Sequence, residues 1–364
     1  MYYHIILTEK CNSRCKYCYE KSMNEFENGL EKKWKFERTP VDSQVKIEQL
    51  KKLLRSSDTL IFYGGEPLLM LEKIKEIIDT LNCRFCMQTN GKLLDQAPRK
   101  YLKKISKILI SIDGRKKITD YNKGEGTYDL VLKNAGDVRK KGFGGELVAR
   151  MAVSQEFPDV FLEVKHLISL GKFDSIHWQI DAGFYKNDFN FEKFSNFVRE
   201  YNESVTNLVN YWLEEMKKGR VLKLYPFLGL FESLYCNKPS KLRCGSGHSN
   251  YTITTSGKLS ACPIMNNIKD FYCGDTDSGI KKKIEITGAC VNCKYLGLCG
   301  GRCLYSNYAN LWPKEGQELV CKTIKHLIHE IKRILPEIKK LLEKKIIKES
   351  DFIYEKYFGP EIIP

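Results

Sequence analysis

The chain has 364 residues, of which 42% are hydrophobic, and a formal net charge of +15. These values exclude a disordered or fibrous protein and leave room for more than one domain. The sequence does not open with a basic segment and a long apolar run, and no stretch approaches the roughly 18 uncharged apolar residues of a membrane span. We therefore predict a cytoplasmic protein without a membrane partner. The positive charge would attract acidic partners, but lysines spread over solvated helix faces are the favoured explanation for it.

Short apolar runs alternate with longer amphipathic ones over the first 220 residues. The runs predict strands at Tyr2–Leu7, Leu60–Tyr63, Cys83–Thr89, Ile108–Ile112, Leu147–Val153 and Ser175–Ile180. The amphipathic segments predict helices at Val45–Leu54, Leu69–Leu81, Arg99–Ile105, Tyr128–Lys141, Val160–Leu170 and Phe191–Lys218. This alternation indicates an α/β fold with a parallel sheet. Because a full eight-fold barrel needs about 250 residues, we predict a partial (β/α)6 TIM-like barrel. The polar segment Glu20–Val41 is predicted to be a long loop.

The composition changes near residue 230. Residues 236–321 contain nine of the 14 cysteines, and YTITTSGKLSAC predicts a β-hairpin that turns at Ser256 and Gly257. A helical run follows at Thr323–Ile347, with a predicted break or kink at Pro336. We therefore predict three segments: a barrel at 1–225, a cysteine-rich domain at 226–325 and a helical segment at 326–364.

Three cysteines follow the first predicted strand in the pattern C-x3-C-x2-C, at Cys11, Cys15 and Cys18. Thiolates are soft ligands that suit iron–sulfur clusters and zinc. Three of them would leave one iron of a four-iron cube open to a small molecule. The alternative is a zinc knuckle completed by a distant ligand.

The context of this motif resembles the radical S-adenosylmethionine (SAM) superfamily. CNSRCKYCY follows the first strand, and the second strand ends in FYGGEP, which is similar to the Gly-Gly-Glu-Pro motif of that family. The resemblance implies a [4Fe–4S] cluster that binds SAM, with Tyr17 near the adenine. It implies SAM contacts from Tyr17, Gly64, Gly65, Glu66, Pro67, Asn90, Ser111, Asp113, Arg150 and Gln179. The polar residues at the later strand ends are equally compatible with core or turn positions.

The later cysteines resemble the SPASM extension of radical SAM enzymes, which binds two auxiliary four-iron clusters. The resemblance implies that Cys244, Cys262 and Cys303 bind the first cluster, with Cys273 or an open iron in the fourth position. It assigns the second cluster to Cys290, Cys293, Cys299 and Cys321. Two structural zinc sites are the alternative. Cys83 and Cys86 are predicted to be small buried residues, with a redox pair or cluster ligands as the other interpretation, and Cys236 has no assigned role.

Together these resemblances predict an enzyme with three [4Fe–4S] clusters that reductively cleaves SAM to a 5′-deoxyadenosyl radical. The SPASM extension favours hydrogen abstraction from a peptide or protein, leading to a crosslink, a thioether or an epimerised residue. An external one-electron reductant, a ferredoxin or flavodoxin, is an implied partner. The alternatives are an enzyme acting on RNA or a small metabolite, and a non-catalytic zinc or electron-transfer protein. Nucleic acid is not favoured, because no basic stripe rich in aromatic residues is found.

Two departures from the family constrain the substrate. Only ten residues precede Cys11, so no N-terminal peptide-recognition domain is expected. In sulfatase-maturing members an aspartate that serves as base follows the cysteine after the hairpin, whereas Pro263 follows Cys262 here. This argues against formylglycine formation. No general acid or base is assigned, and Tyr121, Asp181 and His248 are candidates only because of their predicted position near the mouth of the barrel.

Overall fold

A computed structural model describes residues 1–18 and 30–359 of the chain. These residues form two compact units: the first contains residues 1–150 and 245–285, and the second contains residues 151–244 and the chain from 286 onward. The predicted boundaries after residues 225 and 325 do not coincide with this division. The division of the chain into three segments therefore stays a prediction.

The regular elements are labelled in chain order. The described strands are β1 (Tyr2–Ile6), β2 (Thr59–Tyr63), β3 (Arg84–Thr89), β4 (Ile105–Ser111), β5 (Glu146–Val153), β6 (Ser175–Ile180), β7 (Asn250–Ile253), β8 (Lys258–Ser260), β9 (Tyr272–Asp275) and β10 (Gly279–Ile280). The described α-helices are α1 (Leu30–Lys33), α2 (Ile47–Leu53), α3 (Leu71–Thr80), α4 (Arg99–Leu102), α5 (Lys116–Lys123), α6 (Thr127–Lys140), α7 (Val160–Ser169), α8 (Phe191–Lys217), α9 (Tyr225–Tyr235), α10 (Leu296–Cys299), α11 (Leu304–Ala309) and α12 (Lys314–Glu343). Short 3-10 helices lie at Pro67–Met70, Leu94–Gln96, Pro263–Met265, Lys269–Phe271, Gly288–Cys290 and Glu349–Phe352.

A parallel sheet forms the core of the first unit, in the order β1, β2, β3, β4, β5. The strands are apolar on both faces, as the strands of a covered parallel sheet should be; Ile5 and Phe62, for example, are almost fully buried. β6 lies in the second unit, where the Asp181 amide donates to the Val153 carbonyl at 2.9 Å. All six predicted strands are present, and the predicted α/β class is confirmed.

The predicted hairpin is also present and has a second role in the sheet. Thr254 donates its amide to the Lys258 carbonyl at 2.8 Å, and Gly257 takes the left-handed φ of +83° that the turn requires. β7 then pairs in parallel with β1, with Tyr2 opposite Asn250. The hairpin therefore extends the main sheet beyond β1, which explains why residues 245–285 belong to the first unit.

Three local expectations need correction. Residues 20–29 of the predicted loop lie outside the described residues, and Leu30–Lys33 within it is a helical turn. The C-terminal helix begins at Lys314 rather than Thr323, directly after the N-cap Pro313. It continues through Pro336, so the predicted break does not occur. Pro336 is solvent-exposed, and water can hydrate the carbonyl that loses its helical partner.

The second unit is organised by the packing of α12 on α8. The buried stripe of α12 runs from Leu319 to Leu341 at helical spacing. Polar contacts fix the register: Thr206 Oγ1 lies 2.9 Å from His326 Nε2, and Arg333 donates to the Asn210 side chain at 2.7 Å.

Across the two described stretches of the chain, neither these helices nor any other has the length and apolar character to cross a bilayer.

His4 is a buried ionisable group in the middle of β1. Its Nδ1 lies 2.8 Å from the Asn250 Oδ1 on β7. Burial lowers the pKa of His4 to about 4; the hydrogen bond to Asn250 opposes this shift and the nearby positive charge of Arg150 adds to it. Because the unfolded histidine has its pKa near 6.5, the contribution of His4 to stability is complete above that pH. It is lost as the pH falls toward about 4.

We therefore expect His4→Gln to reduce the loss in the free energy of unfolding that occurs when the pH is lowered. Between about pH 7.5 and about pH 5, His4 should account for a loss of about 2 kcal/mol in the free energy of unfolding. Denaturant titrations of the wild type and the variant at both pH values measure this difference. Equal losses in the two proteins would contradict the assignment.

Candidate active site

The ends of β1 and β2 are held together where the two sequence motifs meet. Gly65 donates its amide to the Thr8 carbonyl at 2.8 Å, and Glu66 donates to the Lys10 carbonyl at 2.9 Å. A Cβ on Gly64, whose φ is +138°, would lie 2.3 Å from the Thr8 oxygen, and one on Gly65 would lie 2.3 Å from the Lys10 oxygen. Glycine is therefore required at both positions, because the backbone that leads into Cys11 leaves no space for a Cβ. The sequence analysis had predicted only SAM contacts for these two glycines.

Glu66 connects this junction to the end of β3. Its carboxylate is buried and accepts hydrogen bonds from Thr89 Oγ1 at 2.8 Å, the Asn90 amide at 2.7 Å and the Leu68 amide at 3.0 Å. Burial raises the pKa of Glu66, and the three hydrogen bonds only partly offset this. A nearby cation would stabilise the charged form. A buried carboxylate whose charged form is stabilised by a cation would suit the ammonium group of SAM.

Asn90 extends the same network to the cysteine loop. Its Nδ2 donates to the Asn12 Oδ1 at 2.6 Å and lies 3.7 Å from the Cys11 Sγ. Burial raises the pKa of the Cys11 thiol. The structure therefore brings together Cys11, Glu66 and Asn90, three residues that the sequence analysis selected separately.

The loop and the ends of β4 and β5 supply the remaining predicted residues of the first unit. Tyr17 donates its hydroxyl to the Asp113 carboxylate at 2.7 Å. Ser111 pairs with Arg150 across β4 and β5. The position of Gln179 is different, because it belongs to β6 of the second unit. Its predicted SAM contact stays a prediction.

The donors of the loop fit an iron–sulfur cluster. Cys11, Cys15 and Cys18 form no disulfide in the described part of the chain, and the buried Ser13 Oγ has no hydrogen-bond partner there. Among residues 1–18 and 30–359, no group of three or more His, Cys, Asp or Glu side chains is arranged to hold a single metal ion. In an iron–sulfur cube each thiolate binds a different iron. The ligand sets stay predictions.

Four cysteines of the second unit lie close enough to shift the pKa of one another's thiols: Cys290, Cys293, Cys299 and Cys321. Burial raises the pKa of Cys299 to about 11, and the nearby Cys321 and Cys290 add to the shift. Partial desolvation raises the pKa of the Cys321 thiol, and the nearby Cys290 and Cys293 add to the shift. Proximity of these four thiols is what the predicted second auxiliary cluster requires.

Two buried arginines lie beside these thiols. Arg243 donates to the Leu298 carbonyl at 2.7 Å and acts against the raised pKa of Cys299. Arg302 acts in the same direction on Cys321, and its buried Nε has no hydrogen-bond partner within the described ranges. A buried guanidinium with an unused donor suits an anionic group. The residues present therefore fit a thiolate-bound cluster.

The other cysteines are placed as follows. Cys262 and Cys273 lie in the first unit, whereas Cys244 and Cys303 lie in the second, so their joint binding of a cluster stays a prediction. Cys86 is fully buried, as predicted, but Cys83 is half-exposed just before β3. Cys236 is exposed at the C-cap of α9.

The three candidate acid or base residues belong to different segments of the described chain. Tyr121 is 43% exposed on α5, and the Lys16 Nζ lies 3.0 Å from the centre of its ring. His248 Nδ1 lies 2.8 Å from the neighbouring Ser249 Oγ in the first unit. Asp181 lies in the second unit, directly after β6. No catalytic role is assigned to them.

The known proteins that are similar to this chain include the following three. A cysteine-type anaerobic sulfatase-maturating enzyme of Clostridium perfringens is 24% identical over 343 residues, which cover 80% of this chain and 85% of the relative. The structure of anSMEcpe with bound AdoMet and the Cp18Cys peptide has a TM-score of 0.68 at 18% identity, covering 93% of this chain and 99% of that one. Streptococcus suis SuiB bound to its precursor peptide SuiA has a TM-score of 0.55 at 15% identity, covering 85% and 72%.

Residues 5–168 match the family model described as the Radical SAM superfamily. They include the cysteine loop, the junction of β1 and β2, and the ends of β3, β4 and β5. This stretch is a radical SAM domain, and the protein is an enzyme that resembles SPASM-type maturases. A radical SAM domain implies a [4Fe–4S] cluster and SAM.

The junction of β1 and β2 can be tested with one methyl group. Gly65→Ala would place its Cβ 2.3 Å from the Lys10 carbonyl. We expect a loss of about 1–3 kcal/mol in the free energy of unfolding and weaker binding of SAM. Gly144→Ala is the matched control, because a Cβ there meets nothing within 4 Å. Thermal unfolding and equilibrium dialysis of SAM measure both effects. Wild-type behaviour of Gly65→Ala would contradict the role given to this junction.

Proposed function

We propose that this enzyme modifies a peptide or protein by radical chemistry, using three [4Fe–4S] clusters. When bound, the first cluster and SAM would supply a 5′-deoxyadenosyl radical, which takes a hydrogen atom from an unactivated C–H bond of the substrate. Cys11, Cys15 and Cys18 are the proposed ligands of that cluster. The observation that carries the proposal is the network that links Cys11, Asn90 and Glu66 at the strand ends.

The residues of the first unit would bind and orient SAM. Glu66 offers a buried carboxylate for the ammonium group, and its three hydrogen bonds hold it in place. Asn90 holds the loop beside Cys11. The ring of Tyr17, whose hydroxyl donates to Asp113, is proposed to contact the adenine. Arg150 is proposed for the carboxylate of SAM, because it ends up beside Ser111 at the same edge of the sheet.

The auxiliary clusters are the basis for the class of substrate. Cys290, Cys293, Cys299 and Cys321 are proposed as one ligand set, and Cys244, Cys262, Cys303 and Cys273 as the other. Support for a peptide substrate comes from the relatives: one is a sulfatase-maturating enzyme, and two structures contain a peptide. The reaction of the sulfatase-maturating relative is not carried over, because Pro263 follows Cys262.

The proposed reductant is a small acidic one-electron carrier of the ferredoxin or flavodoxin type. Lys294, Lys322 and Lys325 are exposed. Their positions support the proposal: Lys294 and Lys322 directly follow the exposed cysteines Cys293 and Cys321, and Lys325 acts on the pKa of Cys321. The three lysines form no ion pair with a carboxylate in the part of the chain that the structure describes. Uncompensated positive charge beside exposed cluster ligands favours an acidic partner.

Anaerobic co-expression with small peptides encoded beside the gene tests the function directly. We expect mass spectrometry to show loss of hydrogen or gain of a crosslink in one peptide, together with 5′-deoxyadenosine in equal amount. Cys15→Ala should abolish both products, because an iron of the cluster loses its ligand, whereas the exposed Cys236→Ala should retain them. Zinc in place of iron, with no cleavage of SAM, would contradict the proposal.

A further inference from the structure

Tyr17 is held by a residue far away in the sequence. It lies between Cys15 and Cys18, and its hydroxyl donates to both oxygens of the Asp113 carboxylate, at 2.7 and 2.9 Å. Asp113 comes two residues after β4 and is almost fully buried. A short hydrogen bond to a buried carboxylate is stronger than one between neutral groups. The end of β4 thus holds the middle of the cysteine loop.

The Asp113 carboxylate is in turn held by the C-terminal end of α5. Asn122 donates its side-chain amide to Asp113 Oδ2 at 3.1 Å. The Lys123 Nζ lies 3.9 Å from the same oxygen and 4.9 Å from the centre of the Tyr17 ring. The side chains of Lys123 and Asp113 are only 4% and 0% exposed. Three groups of this chain therefore already surround the carboxylate.

α5 also binds the loop through the neighbouring residue. The Lys16 amide donates to the Asn122 carbonyl at 2.9 Å. The Lys16 Nζ lies over the Tyr121 ring, 3.0 Å from its centre. Lys16 and Tyr17 are thus fixed through backbone and side chain by one short helix. Within the loop, the Cys18 amide donates to the Cys15 carbonyl at 3.1 Å.

We propose that Asp113 and Lys123 are positioning residues for the three-cysteine loop. They set the orientation of Tyr17 and keep the loop between Cys15 and Cys18 in the geometry that receives the cluster. The role of Asp113 is thus to hold Tyr17, rather than to contact SAM directly. The inference rests on the proposed function of Cys11, Cys15 and Cys18 as cluster ligands.

The test compares variants of the anaerobically reconstituted full-length enzyme: Tyr17→Phe, Asp113→Asn, Lys123→Met and the double variant Tyr17→Phe/Asp113→Asn. Tyr17→Phe keeps the ring and removes one oxygen, so it stays informative if a variant with a changed buried charge fails to fold. Tyr101→Phe is the matched control, because it removes a tyrosine hydroxyl that donates to the exposed Asp79 at 2.7 Å.

The first measurement is amide hydrogen exchange of residues 11–18 with SAM absent. We expect exchange about tenfold faster in each of the three single variants, because each loses a contact that holds the loop. The double variant should exchange no faster than Asp113→Asn, because both changes break the same interaction. Tyr101→Phe should match the wild type.

The second measurement is the affinity for SAM. Tyr17→Phe and Asp113→Asn should weaken it by similar factors. An Asp113→Asn variant with wild-type exchange but weaker SAM binding would overturn the inference in favour of direct contact, and so would wild-type exchange in Tyr17→Phe. Failure of the proposed function looks different: the wild type and Tyr101→Phe would then also take up no iron.

Discussion

The close approach of β1 and β2 at their carboxyl ends is the constraint on which the site depends. Backbone hydrogen bonds join Gly65 and Glu66 to the segment that enters the cysteine loop. The backbone segments that follow β1 and β2 lie so close together that there is no room for a side chain at Gly64 or Gly65. The positions of Cys11 and Glu66 are therefore set by the backbone itself. Parallel strands gather their ligand-binding residues at this edge, and here backbone hydrogen bonds fix the edge.

The surroundings of the site also make an unpaired charge costly in free energy. Desolvation raises the pKa values of both Glu66 and Cys11, which makes their charged forms more costly. Metal ligation requires a thiolate, and a SAM ammonium would favour a carboxylate. Loading of the site is therefore linked to proton release. In the second unit, Arg243 and Arg302 oppose the raised pKa of Cys299 and Cys321, which lowers the cost of forming those thiolates.

The sequence allowed the prediction of the parallel strands, the hairpin and the pairing of the cysteine loop with the Gly-Gly-Glu-Pro segment, because each follows from local periodicity or a short motif. The contact of β7 with β1 was beyond prediction, since strand pairing over such a separation leaves no local signal. α5 was missed because Lys116–Lys123 is short and mostly polar. α9 was missed because Tyr225–Tyr235 is apolar on nearly all sides. The network around Asp113 depends on α5 and was missed with it.

Electron–nuclear double resonance on the reduced enzyme with ¹⁵N-labelled SAM tests the central claim most directly. If the three-thiolate loop holds a cluster with one open iron, we expect a hyperfine coupling between the label in the SAM amino group and the cluster spin. The coupling should be absent without SAM. An iron–sulfur signal that never couples to the label, or a loop that binds zinc through Cys11, Cys15 and Cys18, would contradict the claim.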